Sequence, residues 1–370
     1  MLKKFAAENF KAFPERIELD LGSPGSYEFN EEAVNTDEGI ISKAIVYGFN
    51  GCGKSVLGLA LFDIITHLTD KEKGLNDYAP YLNLNSPDGS SAKFEYTFMF
   101  DGTEVQYSYE KASLEELLNE ELRIGGRTVL EYDFRNHEGY SILEGSRTLK
   151  LSSPDSQISR VKYVSSNTIL SSNHENEVFR LFMSFVENML MFYSLEINRY
   201  RGFKTGADKI ASGIIQAGKT KEFESYLKAN NVNMELDERE VDGEKILIAK
   251  YGQRAVNFYT VASRGTKSLA LFYYWMLQME RASFVYMDEF DAFYHFELSE
   301  SIVQMLKNYR DTQIILTTHN TDLLSNDILR PDCYFWLDNG KIRALNQLTD
   351  KELRKAHNLQ KMFKAGAFNE

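Results

Sequence analysis

At 370 residues, with 43% apolar and 13% aromatic side chains, the chain has enough core-forming material for one large domain or two modest ones. Its 42 Lys and Arg against 54 Asp and Glu leave a net charge of −12, which repels nucleic acid on average and restricts DNA binding to a local basic patch. Two cysteines, six histidines without metal-ligand spacing, no signal-like apolar core in "MLKKFAAENFKAF" and no uninterrupted apolar run of about 18 residues predict a cytoplasmic protein with no disulfide framework, structural zinc or membrane partner.

The first strong element is "AIVYGFNGCGKSVLGLALFDII", a short apolar strand, a glycine-rich turn and an apolar-periodic helix. Gly48 to Ser55 fits G-x-x-x-x-G-K-[ST] in full. In such a loop the backbone N–H groups around Asn50, Gly51, Cys52 and Gly53 cradle phosphate oxygens, helped by the positive end of the helix that follows. Lys54 would reach the β- and γ-phosphates and Ser55 would ligate Mg²⁺, which makes ATP with Mg²⁺ the expected ligand. Cys52 lies inside the loop, so a bulky group on its thiol is expected to block nucleotide.

Residues 92–110 alternate around an Asp-Gly turn and read as a hairpin, and 127–152 as a second one with shorter strands. Helical periodicity covers 174–200, and a further helix is expected near 218–230. Residues 233–252 read as a hairpin around Asp242-Gly243, and "VASRGTKSLALFYYWMLQMERA" as a small turn opening a long apolar helix. Three short apolar segments follow, "FVYMDE" at 284–289, "QIILTTHNTDLL" at 313–324 and "CYFWLDNGKIRAL" at 333–345. No repeat, heptad seam or low-complexity tract is visible.

Three acids, Asp288, Glu289 and Asp291, follow one of these apolar segments, where an unpaired buried charge is costly. In an open α/β sheet, ligands sit beyond the carboxyl ends of the strands, so strands ending at 47, 289 and 318 can converge on one nucleotide. Asp288 would hold Mg²⁺ alongside Ser55, and Glu289 would orient or deprotonate the attacking water. His319, at the tip of the next strand, would hydrogen-bond the γ-phosphate.

The phosphate loop, the turn "ASRGTKS", Asp288-Glu289, "FDAF" and the histidine of "TTHN" resemble, in order and spacing, the motifs of ABC-type ATPase heads. The opening "FAAENFKAF" resembles the first strand of the RecF/SMC/OLD branch, and within it the chain is most similar to compact bacterial AAA-15/AAA-21 ATPases, whose terminal helix and basic-aromatic tail "LRKAHNLQKMFKAGAFNE" also resembles. The resemblance implies an α/β P-loop NTPase head with a mixed central sheet, an antiparallel β subdomain and a helical insertion lobe. Residues 1–70 and 233–370 would form the nucleotide-binding core and 71–232 the lobe.

It also implies that Ser263 and Gly265 cap the γ-phosphate held by a second protomer, giving a homodimer or higher oligomer closed around sandwiched ATP. Arg264 and Thr266 depart from the usual signature residues. Asp291 would reach across that interface, or else cap the helix in "AFYHFELSESIVQML". His295 would be structural or near the interface. The loop that normally brings a glutamine to Mg²⁺ would lie within "VKYVSSNTIL" at 161–170, with Ser165, Ser166 and Asn167 as nominees.

For cargo, the missing heptads exclude a long DNA-bridging SMC protein, and the 51 residues after His319 are too few for an OLD-type nuclease domain. The leading expectation is a regulatory ATPase that controls a separately encoded effector protein, as in bacterial anti-phage modules. The alternative is a RecF-like repair ATPase clamping DNA through Arg199, Arg201, Lys204 and Lys209. A transporter head is the third reading.

Overall fold

The computed structural model describes residues 1–69, 76–152, 157–193, 199–202, 210–241, 243–292 and 296–368. The chain opens with β1 (Leu2–Glu8), antiparallel to β2 (Ile17–Asp20). A short pair, β3 (Val34–Asn35) and β4 (Ile40–Ile41), leads into β5 (Lys43–Tyr47), buried along its whole length. The glycine-rich turn then opens α1 (Lys54–Leu68).

Next come β6 (Ala92–Phe100) and β7 (Thr103–Lys111), the expected hairpin. Asp101 and Gly102 both take positive φ, 50° and 73°, the turn geometry that matches the twist of paired strands. β8 (Leu117–Ile124), which the sequence reading did not include, pairs with β7 and with β9 (Arg127–Asp133), and β10 (Glu138–Ser141) borders β9. With β1 and β2 these strands form an antiparallel sheet in the order β10-β9-β8-β7-β6-β1-β2. Ala92, Phe94, Tyr96, Phe98 and Phe100 alternate inward along β6, the period-2 pattern of a sheet that buries one face.

After α2 (Arg160–Asn167) and α3 (His174–Glu187) the chain departs from the helix expected across 174–200. Met189–Tyr193 is strand β11, all five residues buried. A short run that is apolar on both faces carries no alternation, so its periodicity does not separate it from a buried helix. β12 (Arg199–Gly202), α4 (Ile210–Gln216) and α5 (Thr220–Ala229) precede a small sheet of β13 (Glu235–Val241), β14 (Glu244–Tyr251) and β15 (Arg254–Asn257). Asp242 of the expected turn lies outside the described residues. α6 (Phe258–Val261) and α7 (Arg264–Met279) lead to β16 (Phe284–Asp288), α8 (Phe296–Leu306) and β17 (Gln313–Thr318). The apolar segment at 333–345 is a hairpin, β18 (Tyr334–Asp338) and β19 (Lys341–Ala344), and α9 (Leu359–Lys364) follows.

The second large sheet runs β12-β11-β16-β17-β5-β18-β19. Its five inner strands are parallel and its two edge strands antiparallel, the mixed central sheet expected of a P-loop NTPase head. Three memberships differ from the expected division. β11 belongs to the central sheet although it lies within 71–232, β13–β15 form a sheet of their own, and β1–β2 belong to the antiparallel sheet. A division into contiguous segments cannot anticipate strands that pair across it.

The two large sheets are tied at the starts of β1 and β17 by Gln313, fully buried, which accepts from Leu2 N (2.8 Å) and donates to the carbonyls of Leu2 (2.8 Å) and Ile41 (2.9 Å). Between α1 and the antiparallel sheet, Asp63 and Lys111 form an ion pair at 2.9 Å with no side-chain exposure. Tyr81 and Tyr109 donate to the same carboxylate, at 3.0 and 2.9 Å. Removing one member of such a pair strands the other charge, so Lys111→Met is expected to lower the unfolding free energy by about 3–5 kcal/mol, read from denaturant titration. No helix among the described residues is long and apolar enough to cross a membrane.

Candidate active site

Parallel pairing sets the carboxyl ends of four strands side by side. Tyr47 of β5 pairs with Thr318 of β17, Met287 of β16 with Leu316, and Tyr193 of β11 with Asp288. The loop between β5 and α1 curls over this edge. A side chain at Gly48 would place its Cβ 2.6 Å from the Leu337 carbonyl, and Gly53 sits at φ 108°, a region L side chains avoid. Lys54, buried, folds back and donates to Gly48 O at 2.9 Å. Tyr286 of β16 donates to Lys54 O at 2.6 Å and so clasps the start of α1.

Ser55 Oγ donates to Asp288 Oδ2 at 2.6 Å, joining residues 233 positions apart, and Thr317 Oγ1 donates to Asp288 Oδ1 at 2.8 Å. Burial pushes the Asp288 carboxyl above its ordinary value, the two hydroxyls working against that shift. A buried carboxylate bonded to two neutral hydroxyls beside a phosphate loop is a donor set suited to a hard divalent cation, and Ser55 with Asp288 would hold Mg²⁺ here. Glu289 follows at φ 47°, with one carboxylate oxygen 3.1 Å from Lys54 Nζ and the other 2.9 Å from His319 Nδ1. The loop lysine, the second acid and the strand-end histidine thus form one connected array.

A cavity of about 640 Å³ opens beside the loop, lined by Phe49–Cys52, by Ala12, Pro14 and Arg16, and by the β18–β19 turn. Its volume suits the nucleoside end of a nucleotide. Phe49 is 65% exposed and meets Trp336 edge-on at 5.2 Å, an aromatic corner that the strand pattern had not revealed.

A family model described as "AAA domain, putative AbiEii toxin, Type IV TA system" matches residues 43–325. The chain belongs to this AAA-21 family of P-loop ATPases. No curated protein sequence matches it. Among solved structures, an SMC head bound to the C-terminal winged-helix domain of ScpA is similar at 15% identity and TM-score 0.47, covering 94% of this chain and 98% of that one. The SMC head domain from Thermotoga maritima is similar at 16% identity and TM-score 0.45, covering 92% and 97%. An SMC head with an extended coiled coil, bound to the C-terminal domain of ScpA derived from Pyrococcus furiosus, gives 12% and 0.42, covering 94% and 97%.

Other expected site residues of this AAA-21 chain lie as follows. Ser263 is exposed and caps α7, accepting from Thr266 N at 3.1 Å, with Gly265 in the first turn. Asp291 is buried in its own chain; burial pushes its carboxyl up against hydrogen bonding from Thr318, and its Oδ1 has no partner among the described residues. It sits in the turn closed by Ala292 N–H to Glu289 O; the described part of α8 begins at Phe296, and residues 293–295 before it lie outside the described residues.

The segment 161–170 lies mostly in helix α2, which packs against α1 and β9 and where Asn167 bonds to Tyr163 O. The strand that ends beside Asp288 is β11, and residues 194–198 after it lie outside the described residues. So do Lys204, Lys209 and His295, and of Arg199 and Arg201 the backbone alone is described.

Cys52 is half-buried, and burial pushes its thiol pKa up. Alkylation is therefore expected to be slow at neutral pH and faster as pH rises, and complete labelling to abolish nucleotide binding. Equal binding by fully labelled and unlabelled protein would refute the steric block.

Proposed function

We propose that this AAA-21 protein binds and hydrolyses ATP, closes into dimers or higher oligomers around sandwiched nucleotide, and thereby controls a separately encoded effector in bacterial anti-phage defence. The observation that carries the ATPase reading is the meeting of Lys54, Ser55, Asp288, Glu289 and His319 at one sheet edge. Lys54 would pass from Glu289 to the phosphates. Glu289, so released, would orient and deprotonate the attacking water, while His319 would hydrogen-bond the γ-phosphate. Bound Mg²⁺ supplies positive charge that offsets the charge on the phosphate oxygens.

The dimer reading draws on the cap Ser263-Arg264-Gly265, exposed at Ser263 and Arg264 and half-buried at Gly265, whose residues can meet a second protomer's nucleotide. Asp291 joins that contact only if its turn opens. The effector reading draws on the family description, which sets an AAA domain in a type IV toxin–antitoxin system. Tagged Glu289→Gln, isolated from the native host in ATP and Mg²⁺, is expected to retain a stoichiometric soluble protein. Recovery of nuclease-sensitive DNA without such a protein would replace this reading with the RecF-like clamp.

A further inference from the structure

We propose that Thr317 is a positioning residue for both acids of the site, its single hydroxyl setting the Asp288 carboxylate and the Glu289 backbone together. Thr317 has no exposed surface and lies one residue past the last paired position of β17 and β16. Its Oγ1 lies 2.8 Å from Glu289 N and 2.8 Å from Asp288 Oδ1. A threonine hydroxyl has one hydrogen to give, and a backbone N–H can only donate. The hydroxyl hydrogen therefore goes to Asp288, and a lone pair takes the Glu289 N–H.

Two consequences follow. Asp288 Oδ1 is engaged from behind, which fixes the carboxylate plane and presents Oδ2 to Ser55. Glu289, meanwhile, is held at φ 47°, a conformation uncommon outside glycine, between two anchors on one residue: its own N–H on Thr317 Oγ1 and the next N–H, of Phe290, on Thr317 O at 3.1 Å. That conformation points the Glu289 side chain to Lys54 and His319. Valine would fill the same space and make neither side-chain bond.

The inference rests on the ATPase reading for its effect on turnover, and on the two Thr317 Oγ1 hydrogen bonds for its geometry. Thr317→Ser and Thr317→Ala both lose the methyl group and differ in the hydroxyl alone. Thr317→Ser is expected to turn over ATP nearly as fast as the unaltered protein, and Thr317→Ala about 10–100-fold more slowly, with Mg²⁺-free nucleotide affinity equal in the two.

Amide hydrogen exchange in the nucleotide-free protein gives the second readout. The Glu289 N–H is expected to exchange faster in Thr317→Ala than in Thr317→Ser, with the Phe290 N–H protected in both. Equal turnover and equal Glu289 exchange in the two variants would overturn the assignment. If the unaltered protein does not hydrolyse ATP, the ATPase reading falls, while the exchange comparison still decides the positioning role. Should Thr317→Ala fail to melt cooperatively, Thr317→Val takes its place in the same comparison.

Discussion

Glu289→Gln is expected to bind ATP and to turn it over about 10²–10⁴-fold more slowly than the unaltered protein. Glutamine keeps the size of the side chain and can still hydrogen-bond His319, but it accepts no proton from water. It also ends the 3.1 Å ion pair between Glu289 and Lys54. Lys54 keeps its bond to Gly48 O and is more readily transferred to phosphate, so ATP affinity should equal or exceed that of the unaltered protein. With binding retained and turnover blocked, the ATP-bound oligomer should accumulate. Phosphate release and light scattering after size exclusion read the two effects separately. Hydrolysis at the normal rate would remove Glu289 from the base role, and a monomer at saturating ATP would remove the sandwich.

Lys54→Ala is expected to weaken ATP binding about 10–100-fold for each charge-assisted hydrogen bond lost to the phosphates. Its effect on the fold should be small by comparison, because Glu289 retains His319 as a partner. Thermal unfolding separates these outcomes. Nucleotide at 100 times its Kd stabilises a binding protein by about 2.7 kcal/mol, and that increment should be present in the unaltered protein and fall to about 0.4–1.4 kcal/mol in Lys54→Ala at the same concentration for a 10–100-fold weaker affinity. An equal increment in both would show that Lys54 does not engage the phosphates.

The phosphate loop was legible because its chemistry is local. Closely spaced glycines, a lysine and a hydroxyl must lie within eight residues for one backbone to wrap one phosphate chain. The β6–β7 hairpin was legible for the same reason, its alternation and its Asp101-Gly102 turn being properties of adjacent residues. β11 was not, since a strand buried on both faces differs from a buried helix only in what surrounds it. The acids at 288 and 289 stood out through their position after an apolar run. Thr317 did not, although a hydroxyl two residues before His319 in "TTHN" was a usable signal.

The amino-acid order was thus sufficient for the phosphate loop, for the candidate pairing of Ser55 with Asp288, and for a strand-end histidine near them. Tertiary structure alone decided that Glu289 lies between Lys54 and His319, that Thr317 supports both acids, and that Asp291 is turned into its own chain. The physical reason is range. A turn or a loop is specified by the dihedral needs of neighbouring residues, whereas the meeting of Glu289 with Lys54 and His319, and of Thr317 with both acids, follows from how parallel strands far apart in the chain align, which no short stretch of sequence specifies by itself.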